Sequence, residues 1–139
     1  MEETGRLIQA RSYLDEAEKT LDVARMARKK GYWAVCVKDA FDAMEQAVSA
    51  LIAAKDEKIP KKHTGKIAFF TGLYKPDDVI KKSLLYWAGK RDRSRYVDYR
   101  DGKYVAPSDF FHEDDAHRII SDAEMILSYT RKHSKTWID

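Results

Sequence analysis

Between Lys90 and Arg100 the chain sets five cations, Lys90, Arg91, Arg93, Arg95 and Arg100, among two tyrosines, Tyr96 and Tyr99. Guanidinium groups chelate phosphate oxygens and aromatic faces stack on bases, so the mixture suits contact with a nucleotide or with RNA. Arg95, Asp98 and Tyr99 stand at i, i+3 and i+4 and share one face if the segment is helical. The competing interpretation is a solvated helix end, where arginines complement the carbonyl terminus and an Asp merely holds an Arg in place. Composition leaves both open. Arg91, Arg93, Arg95, Asp98 and Tyr99 form the candidate nucleotide- or phosphate-binding set, and no residue is assigned a catalytic role.

Other chemistries find less support. His63, His112, His117 and His133 are scattered. His112 and His117 are five apart, pointing away from each other on a helix, and no His/Cys cluster closes a zinc site. No metal and no cofactor are therefore expected. Thr64-Gly65-Lys66 lacks the glycine spacing and the preceding strand of a phosphate loop. The lone cysteine, Cys36, lies among alanines, as a small buried thiol would, and lone cysteine usage fits a reducing compartment.

The elements that must position the basic segment are helical. From Trp33 to Ala54 two apolar stripes run at three-four spacing, one large (Ala34, Val37, Phe41, Met44, Val48, Leu51) and one small (Cys36, Ala40, Ala43, Ala47, Ala50, Ala54). A helix apolar on two faces is surrounded by others, and its alanine ridge admits a close neighbour. Lys38, Asp42, Glu45 and Ser49 form its narrow polar strip. Before it, Leu7, Ala10, Leu14, Ala17, Leu21 and Ala24 mark an amphipathic helix from Glu2 to Lys30, closed by cations and Gly31. The short link predicts an antiparallel hairpin.

Beyond DEKIPKK, the residues Ile67, Phe69, Phe70 and Leu73 predict about two turns of helix, broken by Gly72. Pro76, Asp77 and Asp78 predict a helix start, with Val79, Ile80, Leu84, Trp87 and Ala88 as its core face and the basic stretch as its continuation. DGKYVAPSD, 101–109, reads as a loop. A last helix opens at Glu113, Asp114 and Asp115, buries Ala116, Ile119, Ile120, Ala123, Ile126, Leu127 and Thr130, and closes on Arg131, Lys132, His133 and Lys135. All three prolines, Pro60, Pro76 and Pro107, fall in connections.

At 139 residues one domain, 1–139, is expected. The net charge of +3, with acids and bases mixed, argues only weakly for a polyanionic partner. No apolar run suits a signal peptide or a membrane span, so a soluble cytoplasmic protein with no membrane contact is expected.

Taken in order, these features resemble the HEPN domain family, closest to its small stand-alone prokaryotic members. The resemblance rests on Gly31-Tyr32-Trp33, on DAFDAMEQAVSALI from Asp39 to Ile52, and on His63-Thr64-Gly65 with Phe69-Phe70. It continues through Arg95, Asp98 and Tyr99 to the last amphipathic helix. It implies an all-α, up-and-down bundle of four long helices plus a short one, usually a homodimer. It also implies work beside a minimal nucleotidyltransferase, often as a toxin-antitoxin pair. Active members are metal-independent ribonucleases with an Arg followed some four to six residues later by a His. Here no His follows Arg91, Arg93 or Arg95 at that distance.

Three readings stay open. The first is a non-catalytic HEPN protein that binds nucleotide or RNA phosphate, or a nucleotidyltransferase partner, through the Arg-Asp-Tyr surface. The second is a ribonuclease recruiting Tyr99 or a distant His. The third is a helical interaction scaffold, which lacks the repeat such proteins need. For a homodimer, Tyr86, Trp87, Tyr96 and Phe110 are the interface candidates.

Overall fold

The structure, a computed structural model, describes the backbone of residues 2–137 and side chains from Gly5 to Trp137. Among the described residues six helices follow one another: α1 (Glu2–Lys29), α2 (Trp33–Ala54), α3 (His63–Tyr74), α4 (Asp78–Ala88), α5 (Pro107–Phe110) and α6 (Glu113–Ser134). Between α4 and α5 lie a 3-10 turn, Asp92–Ser94, and a two-stranded antiparallel ribbon, β1 (Asp98–Arg100) with β2 (Lys103–Val105). The chain is a helical bundle, with α1, α2 and α6 long and α3 and α4 about half their length.

α2 is the centre of the packing, against α1 chiefly and then α6. Its large-residue stripe is buried throughout, and so is the small one from Cys36 to Ala50. Alanine at 40, 43, 47 and 50 has no accessible surface, which is what close approach of a neighbouring helix requires. The turn from α1 to α2 closes by a paired cap. The Tyr32 amide donates to the Ala27 carbonyl at 2.9 Å and the Gly31 amide to Arg28 at 3.0 Å. Gly31 has φ +78°, a conformation that a side chain would strain.

The polar strip of α2 departs from expectation: Glu45 and Ser49 are buried, because α3 folds back over that side of α2. α3 itself is longer than two turns, running 12 residues through Gly72 and ending at Lys75 in the left-handed conformation.

The larger difference follows Ala88. The helix does not continue into the basic stretch. It closes at Gly89, the chain makes a 3-10 turn held by the Ser94 hydroxyl donating to the Arg91 carbonyl at 2.6 Å, and the ribbon begins at Asp98. Asp101 and Gly102 both have positive φ, +51° and +77°, the backbone that a two-residue hairpin loop of matching twist needs. Tyr99 therefore faces Tyr104 across the ribbon, and 101–109, expected to be a loop, contains a strand and the start of a short helix. Pro107 starts that helix, α5, so it is not in a connection; its missing amide proton costs nothing in the first turn. Asp115 accepts from the His112 amide at 2.9 Å and starts α6. Among the described residues, no helix is long and apolar enough to cross a membrane.

Candidate functional site

The ribbon and the turn before it form an aromatic and cationic ledge against α5. The Arg93 guanidinium lies 4.4 Å from the centre of the Phe110 ring, and Lys90 sits over Tyr86 at 4.9 Å. Beside them runs a groove of about 430 Å³ whose walls include Arg93, Tyr96, Asp98 and Arg100. Tyr99 and Tyr104 meet edge to face at 5.0 Å and stay 62% and 77% exposed. Tyr96 and Val97 are exposed as well. Large rings left in water beside cations are costly for folding and suited to stacking on a planar ligand.

The five candidate residues do not form one face. Arg91 pairs with Asp92 at 3.0 Å. Arg93 lines the groove. Arg95 turns inward and pairs with Asp42 of α2, so Asp98 does not hold it. Asp98 instead accepts from Arg100 Nε and from the Tyr99 amide, both at 2.9 Å. The i, i+3, i+4 argument fails because Asp98 and Tyr99 are consecutive strand residues, whose side chains alternate faces. Tyr104, Arg100, Phe110 and Asp42 complete the arrangement and lie outside the candidate set. The Asp101-Gly102 hairpin signal, flanked by Tyr99 and Tyr104, would have found the first of these.

Inside, α2 carries the acids that hold the site's edge. Asp42 binds Arg95, and Glu45, one turn on, accepts from His63 Nδ1 at the start of α3. Neighbouring Asp39 has its carboxyl pushed up, by burial first, against the opposing pull of Lys38. Burial also pushes the Cys36 thiol up to about 11, which keeps it in the unreactive protonated form.

The other histidines lie apart. His117 is 3.4 Å from Glu113, and His133 packs against the rings of Tyr74 and Tyr129. Among the described residues no three His, Cys, Asp or Glu side chains converge as a bound metal needs. Of the interface candidates, Trp87 is buried and donates its indole N–H to Asp122 at 2.7 Å, so it cannot serve a partner. Tyr96 remains exposed, and Tyr86 and Phe110 are half-buried.

Comparison with known proteins addresses the scaffold. No curated protein matches the chain. The crystal structure of TT1696 from Thermus thermophilus superposes with a TM-score of 0.75 at 19% identity, over 89% of this chain and 97% of that one. ST0689, an archaeal HEPN homologue, superposes with a TM-score of 0.72 at 23% identity, over 91% and 98%. At such identities the likeness concerns the fold. The model of the HEPN domain matches residues 10–133, nearly the whole chain, and with the bundle described above this establishes that the chain belongs to the HEPN domain family.

Proposed function

We propose that this HEPN protein binds the phosphate and base of a nucleotide or of single-stranded RNA on the ribbon ledge, without cutting it. The observation that carries this reading is the groove in which the exposed ring of Tyr96 lies with the guanidinium groups of Arg93 and Arg100. Rings supply stacking that any base satisfies, and guanidinium groups supply phosphate contact. Catalysis is not part of the proposal because no His follows an Arg at the motif distance. Tyrosine, with an ordinary pKa of about 10, is a poor proton carrier at neutral pH. A homodimer working beside a minimal nucleotidyltransferase, as in a toxin-antitoxin pair, is the setting this reading carries over from the family, with the domain spanning 1–139 in the cytoplasm.

Arg93 rather than Arg95 is the decisive substitution, since Asp42 already engages the Arg95 guanidinium. In a salt titration with a short oligoribonucleotide, Arg93→Ala should weaken binding. It should also flatten the slope of log affinity against log salt by about 0.7 for one lost contact to a single strand. An unchanged slope and affinity would remove the ledge from the binding surface. Metal-free incubation should leave the oligonucleotide intact; cyclic-phosphate ends would reinstate the ribonuclease reading.

A further inference from the structure

Five side chains, from α4 and the turn after it, from α5 and from α6, stand in one column beside the groove. The Arg118 guanidinium of α6 lies 4.0 Å from the centre of the Tyr86 ring, and Lys90 Nζ lies 4.9 Å from the same ring and 5.4 Å from that of Phe110. Arg93 covers Phe110 at 4.4 Å. Neighbouring cations share a ring, so the column is continuous from Arg93, a wall of the groove, to Arg118, exposed on α6. Gly89, next to Lys90 in the chain, belongs to the same wall.

Rings hold these cations, and carboxylates do not. Among the described residues none of Lys90, Arg93 and Arg118 has an ion pair, except that the column's neighbours do: Arg91 pairs with Asp92 and Arg100 with Asp98. The other nearby acids are spent elsewhere, Asp109 on the Ala106 amide and Asp122 on the Trp87 indole. Arg118 turns onto Tyr86 and not toward Asp114, one helical turn before it. A ring face attracts a cation without cancelling its charge, and a guanidinium lying on a ring keeps the N–H donors of its edge. Three like charges joined through shared rings repel one another. An apolar side chain on the same rings would fasten the helices without that repulsion, whereas a polyanion laid along the column removes it.

We propose that the binding surface continues from the groove along this column to Arg118, and that its ligand is a single RNA strand of several nucleotides, not a lone nucleotide. The inference rests on the ledge reading, in which Tyr96, Arg93 and Arg100 take one base and its phosphate. Lys90 and Arg118 then contact phosphates further along the strand. Tyr86 and Phe110 each carry two cations on their rings, so the bases stack on the ledge and the column reads backbone charge alone.

The test compares a uridine oligonucleotide about ten residues long, a length that single-strand sites commonly take, with uridine 5'-monophosphate, both on the whole protein in a salt titration. The oligonucleotide should bind the unsubstituted protein more tightly and with the steeper salt slope. Arg118→Ala should weaken oligonucleotide binding about tenfold at low salt, the size of one charge-assisted contact, and flatten its slope by about 0.7. It should leave monophosphate binding unchanged, whereas Arg93→Ala should weaken both. Arg118→Lys, which keeps the charge, should restore most of the slope. Lys132→Ala removes an equal charge near the far end of α6 and should alter neither ligand's binding. A lower melting midpoint in Arg118→Ala with an unchanged slope would make Arg118 structural and overturn the inference alone. So would a loss that the monophosphate shares, or one that Lys132→Ala reproduces. No binding of either ligand by the unsubstituted protein overturns it together with the ledge reading.

Discussion

The α1–α2–α6 core and the segment from Gly89 to Phe111 solve opposite problems. In the core, large side chains face inward and alanines let the helices close up. Phe41, Met44, Leu51, Ile119 and Ile126 have almost no contact with water. In the segment, the large rings of Tyr96, Tyr99 and Tyr104 face outward, and short elements replace long ones. The core gains stability from burial, whereas the segment leaves stacking surface unsatisfied. The contrast predicts that damage to one region should appear in melting and damage to the other in binding.

The largest effect should come from Phe41→Ala, which empties a buried site at the centre of α2 and should cost about 3–5 kcal/mol of stability. Chemical denaturation would read it as a lower midpoint at unchanged slope. A loss near zero would mean that the stripe is not the core. Tyr96→Ala should do the reverse, leaving the midpoint unchanged while weakening oligonucleotide binding by about 1–3 kcal/mol, the worth of one stacked base. A shifted midpoint with intact binding would make the exposed ring structural and dissolve the contrast.

The two regions are not equally legible in the sequence. The core can be read because burial at period 3.6 leaves its imprint on a single stretch of chain: every residue of the large stripe from Ala34 to Leu51 is inside. The ledge depends on partners far apart in sequence. Arg95 ends on Asp42, 53 residues away, and no local spacing could announce that. Glu45 and Ser49 look like solvent-facing polar residues because helical period alone does not reveal that α3 will cover them. The ribbon is different. Asp101-Gly102 between Tyr99 and Tyr104 is a local hairpin signal, masked by a preceding helix whose pattern gives no reason to stop before the basic stretch. Nothing in the type of Arg93 distinguishes it from Arg91; only its place over Phe110 does.

Gly102→Ala sharpens the comparison at the ribbon itself. At φ +77° a Cβ meets no atom within 4 Å, so the penalty is backbone strain alone, about 1–2 kcal/mol. That penalty falls on a two-stranded ribbon at the surface and not on the helices. Binding should drop while the thermal midpoint stays within the range of a surface substitution. A midpoint that falls with the binding would show that ribbon and core unfold as one unit.

The smallest expected effect tests the core through pH. His133, near the end of α6, has its pKa held below the usual imidazole value, by burial first and then by the charge of Lys55. In the unfolded chain the same group titrates at its ordinary value, so between the two values the unfolded state holds more protons. Stability from neutral His133 is thus fully present above the unfolded value and declines as pH falls toward the folded one. Acidification across the imidazole range should lower the melting midpoint of the native protein, and His133→Gln should make that decline shallower. His63 lies elsewhere, on Glu45 at the start of α3, so His63→Gln should leave the contribution of His133 in place. If His63→Gln alone flattened the decline, with His133→Gln inert, pH sensitivity would belong to the edge of the proposed site and not to the aromatic pocket of Tyr74 and Tyr129.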